Sequence, residues 1–203
     1  MTFVASQRMN AIPSKLEPQL VLALTNLRLA SLSADFLMEC KRAGLEEMPT
    51  ELHMRGPRGT VHLPSTNCGF FVTPVIHCAL LDVRRTLEFF RLKWDKSSSA
   101  FVNFADRRYA DDVYITDLGL PAVDPTWLLD LSMRVIGRAA SSCLLEACLY
   151  TNKEMAHYSQ TSSLPGLQGI VDATKVTHEA ILVFVYDALS IPRPKLQPTI
   201  HEG

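Results

Sequence analysis

Ile76, Leu80, Val83, Leu87, Phe90 and Trp94 are separated by four, three, four, three and four residues. That alternation keeps one face of an α-helix apolar and is the wrong period for a strand, whose side chains alternate every second residue. A chain carrying so regular a seam must bury it, and the usual solution is against other helices. Thr73 reads as the cap of this helix and Pro74 as its first-turn residue. Arg84, Arg85, Arg91 and Lys93 fall off the seam, where they form either a solvated flank or a basic face.

Three further helices read from similar signals. Ser14-Lys15-Leu16-Glu17 has the form of a capping box, and Pro18 follows it. Leu20, Leu24 and Leu27 then make one apolar row, Leu29, Leu32 and Phe36 a second, and Gly44 is the expected stop. Asp124-Pro125 opens a third helix, expected to run unbroken through Leu129, Ile136, Ala140, Leu144 and Ala147 to about His157. A fourth spans about Gly166 to Leu189 and is ended by Pro192 and Pro194. Between them, residues 45–72 contain a hairpin signal, with Glu51–Met54 and Thr60–Leu63 flanking Arg55-Gly56-Pro57-Arg58-Gly59. Residues 95–123 form a long connection whose serine run suggests mobility and whose aromatic residues suggest packing over the helices. Tyr114-Ile115 is the only other strand signal. The expectation is an all-α chain: one up-and-down four-helix bundle domain over residues 1–203, with a small β-hairpin insertion, an arm at 1–12 and a tail at 192–203.

The formal net charge of −1 lacks the basic excess of a broad nucleic-acid surface, so no DNA partner is expected and any RNA contact is local. Cys40, Cys68, Cys78, Cys143 and Cys148 are odd in number and form no CxxC pair, which favours a reducing compartment. The first residues lack the apolar core of a signal peptide, and no eighteen consecutive residues are apolar. A cytoplasmic protein without a membrane span is therefore expected. His53, His62, His77, His178 and His201 are not joined by any Glu-x-x-His motif, so no metal site is expected. Glycine-rich nucleotide loops and a Gly-x-Ser-x-Gly elbow are absent as well, and no cofactor is expected.

The most compact polar group is Leu149 to Ser159, where Asn152, Lys153, Glu154 and His157 gather at the end of the third helix. Thr151-Asn152-Lys153-Glu154-Met155-Ala156-His157 resembles the motif of the HEPN families of helical-bundle proteins, in which Arg-Asn, three variable residues and Ala-His occur in that order. Asn152, Ala156 and His157 fit this frame, whereas Thr151 stands where the family has arginine. In active members the resemblance implies metal-independent RNA cleavage across a homodimer, with histidine and arginine as the working pair, in defence or toxin–antitoxin settings. His157 and Asn152 are the candidate catalytic residues, His157 as the base that takes the 2′-hydroxyl proton. Thr151 and Lys153 are candidate binding residues beside them. Arg55 and Arg58, on the hairpin, either touch a partner or phosphate backbone or are simply solvated.

A neutral threonine cannot supply the cation that the phosphoryl oxygens require, and one lost donor of this kind costs about 3–4 kcal/mol. Lys153, Arg138 and Arg134 are the substitutes to weigh. Lysine lacks the two-pronged guanidinium, and Arg138 would lie about 20 Å away along a continuous helix. The expectation is a non-catalytic or weakly catalytic module that binds RNA or a protein partner. The alternatives are an endoribonuclease using His157 with a borrowed cation, and a plain helical interaction domain.

Overall fold

The computed structural model describes residues 11–45, 50–56, 59–65, 69–105, 112–153 and 165–196, and of residues 50–71, 152 and 153 only the backbone. The chain is mostly helical. Its elements are α1 (Glu17–Arg42), β1 (Thr50–Gly56), β2 (Gly59–Ser65), α2 (Gly69–Phe89), β3 (Leu92–Asp95), β4 (Ala100–Asn103), a 3₁₀ turn (Ile115–Leu118), α3 (Pro125–Ile136), α4 (Ser141–Lys153) and α5 (Leu167–Ile181). A π-helical turn, Leu182–Asp187, continues α5 directly.

α5 is the hub, packing against α1, α2, α3 and α4. Nine of its fifteen residues are buried, among them Ile170, Val176 and Ile181, so it has almost no face left for water. α1 also contacts α2, and α2 contacts α4. Polar links fix the register of these neighbours. Asn26 Nδ2 donates to Asp82 Oδ2 between α1 and α2, Lys175 pairs with Asp35 between α5 and α1, and Arg138 pairs with Asp172 between the start of α4 and α5.

The ends of α1 show how local sequence sets the boundaries. Ser14 does not cap it: Pro13 to Leu16 make a turn, and Leu16, without a side-chain cap, precedes the first helical residue. At the other end Gly44 lies at φ 67°, Gly44 N donates to Lys41 O, and Leu45 N donates to Cys40 O. This is the double bond of a Schellman close, in which glycine avoids the left-handed penalty.

Two long helices read from the sequence need correction. α2 begins at Gly69, so Pro74 sits inside it rather than in its first turn, and Thr73 is not its cap. It also stops at Phe89, because Arg91 turns left-handed at φ 65° and the chain enters β3; Trp94 is therefore a strand residue. The third run is not continuous either. α3 closes on Gly137 at φ 71°, whose N–H bonds Met133 O, and α4 starts four residues later. Ser132 Oγ accepts from Ala140 N and holds the corner. A Cβ on Gly137 would meet nothing within 4 Å, so its requirement is conformational alone. Gly137→Ala is expected to cost about 1 kcal/mol in urea unfolding, the left-handed penalty of an ordinary L-residue.

Both hairpins are antiparallel and two-stranded. β1 and β2 pair from Thr50↔Ser65 to Gly56↔Gly59. β3 and β4 pair from Leu92↔Asn103 to Asp95↔Ala100, joining the end of the run read as the second helix to the start of the long connection. The serine run is an ordered turn instead: the Asp95 carboxylate accepts from the backbone and hydroxyl of both Ser97 and Ser98. Those bonds hold the Asp95 carboxyl well below the usual carboxylate range. Trp94 and Phe101 meet edge to face, with centroids 5.3 Å apart. Ile115, read as a strand residue, lies in the 3₁₀ turn, with its side chain in the core.

By length and composition α1 is apolar enough to cross a bilayer, with a mean hydropathy of 1.4 over its best window, and 39% of that window is buried inside the protein. The core helix of a protein without a membrane span passes the same test, and Thr25, Asn26 and Arg28 interrupt the apolar run within α1.

Candidate functional site

The last turn of α4 carries the first three residues of the motif, Thr151 to Lys153. Successive core residues Ala140, Leu144 and Ala147 place the next inward position at Thr151, which is 1% exposed. Its hydroxyl donates back to Ala147 O and Cys148 O, both at 3.0 Å, so its hydrogen-bonding capacity is met within its own helix. The position that matches the family arginine therefore points into the core, and Thr151 offers no group to a ligand.

One residue earlier, Tyr150 turns toward α2. Its hydroxyl lies 2.8 Å from His77 Nε2, and the two rings are tilted with centroids 5.6 Å apart. His77 is half-buried, whereas the Tyr150 ring is almost fully covered. This pair ties the first half of α2 to the last turns of α4, and it is the only imidazole–phenol contact among the described residues. From the sequence His77 is a candidate only for metal ligation, since no pattern along the chain signals a partner 73 residues away.

Asn152 and Lys153 lie on the same final turn of α4, adjoining Thr151. Arg55 is on β1, where its backbone faces Thr60. His157 and Arg58 lie outside the described residues. Of the proposed substitute cations, Arg138 is committed elsewhere. It lies in the corner between α3 and α4, and its Nη2 donates to Asp172 Oδ2, which raises the guanidinium above its ordinary pKa. Asp172 is buried and also accepts from Gln168 Nε2 at 2.9 Å. Arg134 is exposed on α3, a helix that packs chiefly against α5.

The thiols near the site are poor nucleophiles. Burial pushes Cys148 up to about 12 and Cys143 up to about 11, so both are protonated at neutral pH. The four described cysteines are free, and no group of three or more His, Cys, Asp or Glu side chains that could hold a metal occurs among the described residues.

His178, on α5, titrates below the ordinary histidine value. Burial lowers it, Glu179 opposes that, and Arg28 and Arg193 lower it further. Its folded pKa lies below its unfolded value, so the unfolded chain binds more protons in this window. Stability is therefore complete above about pH 6.5, the ordinary histidine value, and declines as the pH falls through it toward the folded pKa. His178→Gln should flatten the dependence of urea-unfolding free energy between pH 7.5 and 5.5. An unchanged slope in the variant would assign that dependence to other groups.

No protein-family model, curated protein or solved structure matches the chain.

Proposed function

We propose that the chain is a HEPN-like helical bundle that binds RNA at the end of α4 without cleaving it efficiently. In this reading α1, α2, α4 and α5 form an up-and-down four-helix bundle. Support comes from the order of contacts, in which α1 meets α2, α2 meets α4, α4 meets α5 and α5 meets α1. Residue pairs support it too. Glu17 at the start of α1 acts on Tyr186 after the end of α5, while Asp35 further along α1 pairs with Lys175 nearer the start of α5. Phe90, just past the end of α2, meets Phe184 of the π-turn. The first half of α2 meets the end of α4 through His77 and Tyr150.

The burial of Thr151 carries the functional reading. RNA cleavage by 2′-hydroxyl attack needs a base and a preorganised cation beside the phosphoryl oxygens. The residue in the cation's place is neutral and faces the core, and Arg138 is bound to Asp172. What remains of the motif is polar: Asn152 and Lys153 end α4 directly after Tyr150, whose hydroxyl meets His77, and His157 follows four residues later in the sequence.

The test is to mix purified protein with a labelled structured RNA and follow anisotropy and cleavage together. Saturable binding without cleavage, weakened at least tenfold by joint Asn152→Ala and Lys153→Ala substitution, is expected. Cleavage that disappears in His157→Ala would instead establish a ribonuclease. Failure to bind any RNA, with the fold intact, would overturn the RNA reading and leave a protein partner as the ligand to seek.

A further inference from the structure

The core side of α1 is set by Leu20, Leu24, Leu27, Ala30 and Ala34, all buried. At 100° per residue the opposite side carries Leu22, Leu29, Leu32 and Phe36, the first, second and fourth of which fall within about 40° of one another. Leu22 is 60% exposed, Leu32 38% and Phe36 47%, while Leu29 is half-buried. Thr25, Ser33 and Cys40 fill the same arc, which holds no charged residue over nearly the whole helix. A solvated helix face is ordinarily its most charged one, and a helix that is apolar all round is a covered helix.

Charges occur only along the edge of this face. Arg28 and Asp35 are seven residues apart on the side toward α5; Arg28 Nη1 donates to Leu196 O at 3.4 Å and Asp35 pairs with Lys175 at 3.6 Å, yet both still reach solvent, Asp35 with 41% of its side chain exposed. Leu22, Leu29 and Phe36 repeat every seven residues with Leu32 between the last two, the spacing by which two helices interlock. In an antiparallel copy related by a two-fold axis between Leu29 and Leu32, Arg28 comes within side-chain reach of the partner's Asp35. The symmetry repeats that ion pair on the other side of the axis. A parallel copy would instead set these charges against the level of Ser33 and Cys40 and gain nothing. A lipid surface fits less well, because interfacial helices border their apolar face with Lys and Arg rather than with Asp35 and Glu39.

We infer that the outer face of α1 is an interface with a second copy of this chain, packed antiparallel about Leu29 and Leu32 with reciprocal Arg28–Asp35 pairs. It is independent of the α4 site, which lies elsewhere on the molecule.

The test is sedimentation equilibrium of the full chain over a concentration series. Wild type should self-associate to a dimer, and Arg28→Glu and Asp35→Arg should each weaken association at least about tenfold, since each sets like charges opposite one another. Mixed in equal amounts, the two variants should recover a dimer of near wild-type affinity, because the mixture restores both pairs. Leu29→Glu should leave a folded monomer by circular dichroism. A monomeric wild type, a dimer indifferent to all three substitutions, or a mixture no tighter than its components would overturn the inference. So would binding of the wild type to neutral phospholipid vesicles that Leu29→Glu abolishes, since the face would then be a lipid contact.

Discussion

Thr151→Arg is expected to destabilise the protein by about 3–5 kcal/mol, the cost of putting an uncompensated charge in the interior, and to create no nuclease. The side chain it replaces is 1% exposed and lies on the inward row with Ala140, Leu144 and Ala147. The interior it faces is lined by apolar core residues, and Asp172, the buried carboxylate of α5, is taken by Arg138 and Gln168. Thr151→Val is the control. It keeps the shape and removes the hydroxyl together with its two bonds to the helix backbone, which should cost no more than about 1 kcal/mol. Urea unfolding of both variants alongside an RNA-cleavage assay separates the outcomes. If Thr151→Arg unfolds within about 1 kcal/mol of wild type and cuts RNA, the end of α4 is an intact HEPN-type cleft lacking only its cation. The binding reading would then give way to that of a disarmed enzyme.

The inward direction of Thr151 was available from spacing alone, since the apolar steps 140, 144 and 147 reach 151 next. Its resemblance to a motif position drew attention to what the residue lacked rather than to where it pointed. The helix signals that held were those whose physics is local. Asp124 accepts from Thr126 N as a cap should, with Pro125 behind it, and Gly44 closes α1 in the left-handed conformation. The signals that failed were those that tertiary context decides. Gly137 fell inside the run expected to be one unbroken helix, but its φ of 71° and the Ser132–Ala140 bond turn one helix into two. Asp95 and the serines after it read as a mobile run because composition does not show that one carboxylate gathers both Ser97 and Ser98. Arg91 read as a flank residue of a longer helix. Its guanidinium instead donates to Phe104 O and Ala105 O and lies 4.6 Å from the centre of the Tyr114 ring, binding the hairpin to the 3₁₀ turn. Contacts such as His77–Tyr150, between residues far apart in the chain, follow only once the order of helices is known.

Phe90→Ala is expected to cost about 3–5 kcal/mol, enough to consume much of the stability of a domain this size. The apolar seam and the structure agree that Phe90 is inward, and its side chain is fully buried. It lies where the end of α2, the π-turn and the segment leading into α3 converge. Phe89 and the edge-on Phe184 ring lie 5.6 and 5.7 Å away, and Val123 N donates to its carbonyl. Truncation removes both the transfer energy of the ring and the edge-to-face contact, and leaves a cavity among three elements that cannot close on it together. Phe90→Leu, which keeps most of the volume, should cost less than half as much. Trp94 supplies the discriminating comparison, because the seven-residue pattern ranks it as the next core position whereas the structure puts it on β3, half-buried against Phe101. If Trp94→Ala proves as damaging in urea unfolding as Phe90→Ala, the helix runs on through Trp94 and the left-handed turn at Arg91 is wrong. If Trp94→Ala costs about 2 kcal/mol or less, as expected for an incompletely buried aromatic, α2 ends where Arg91 makes it end.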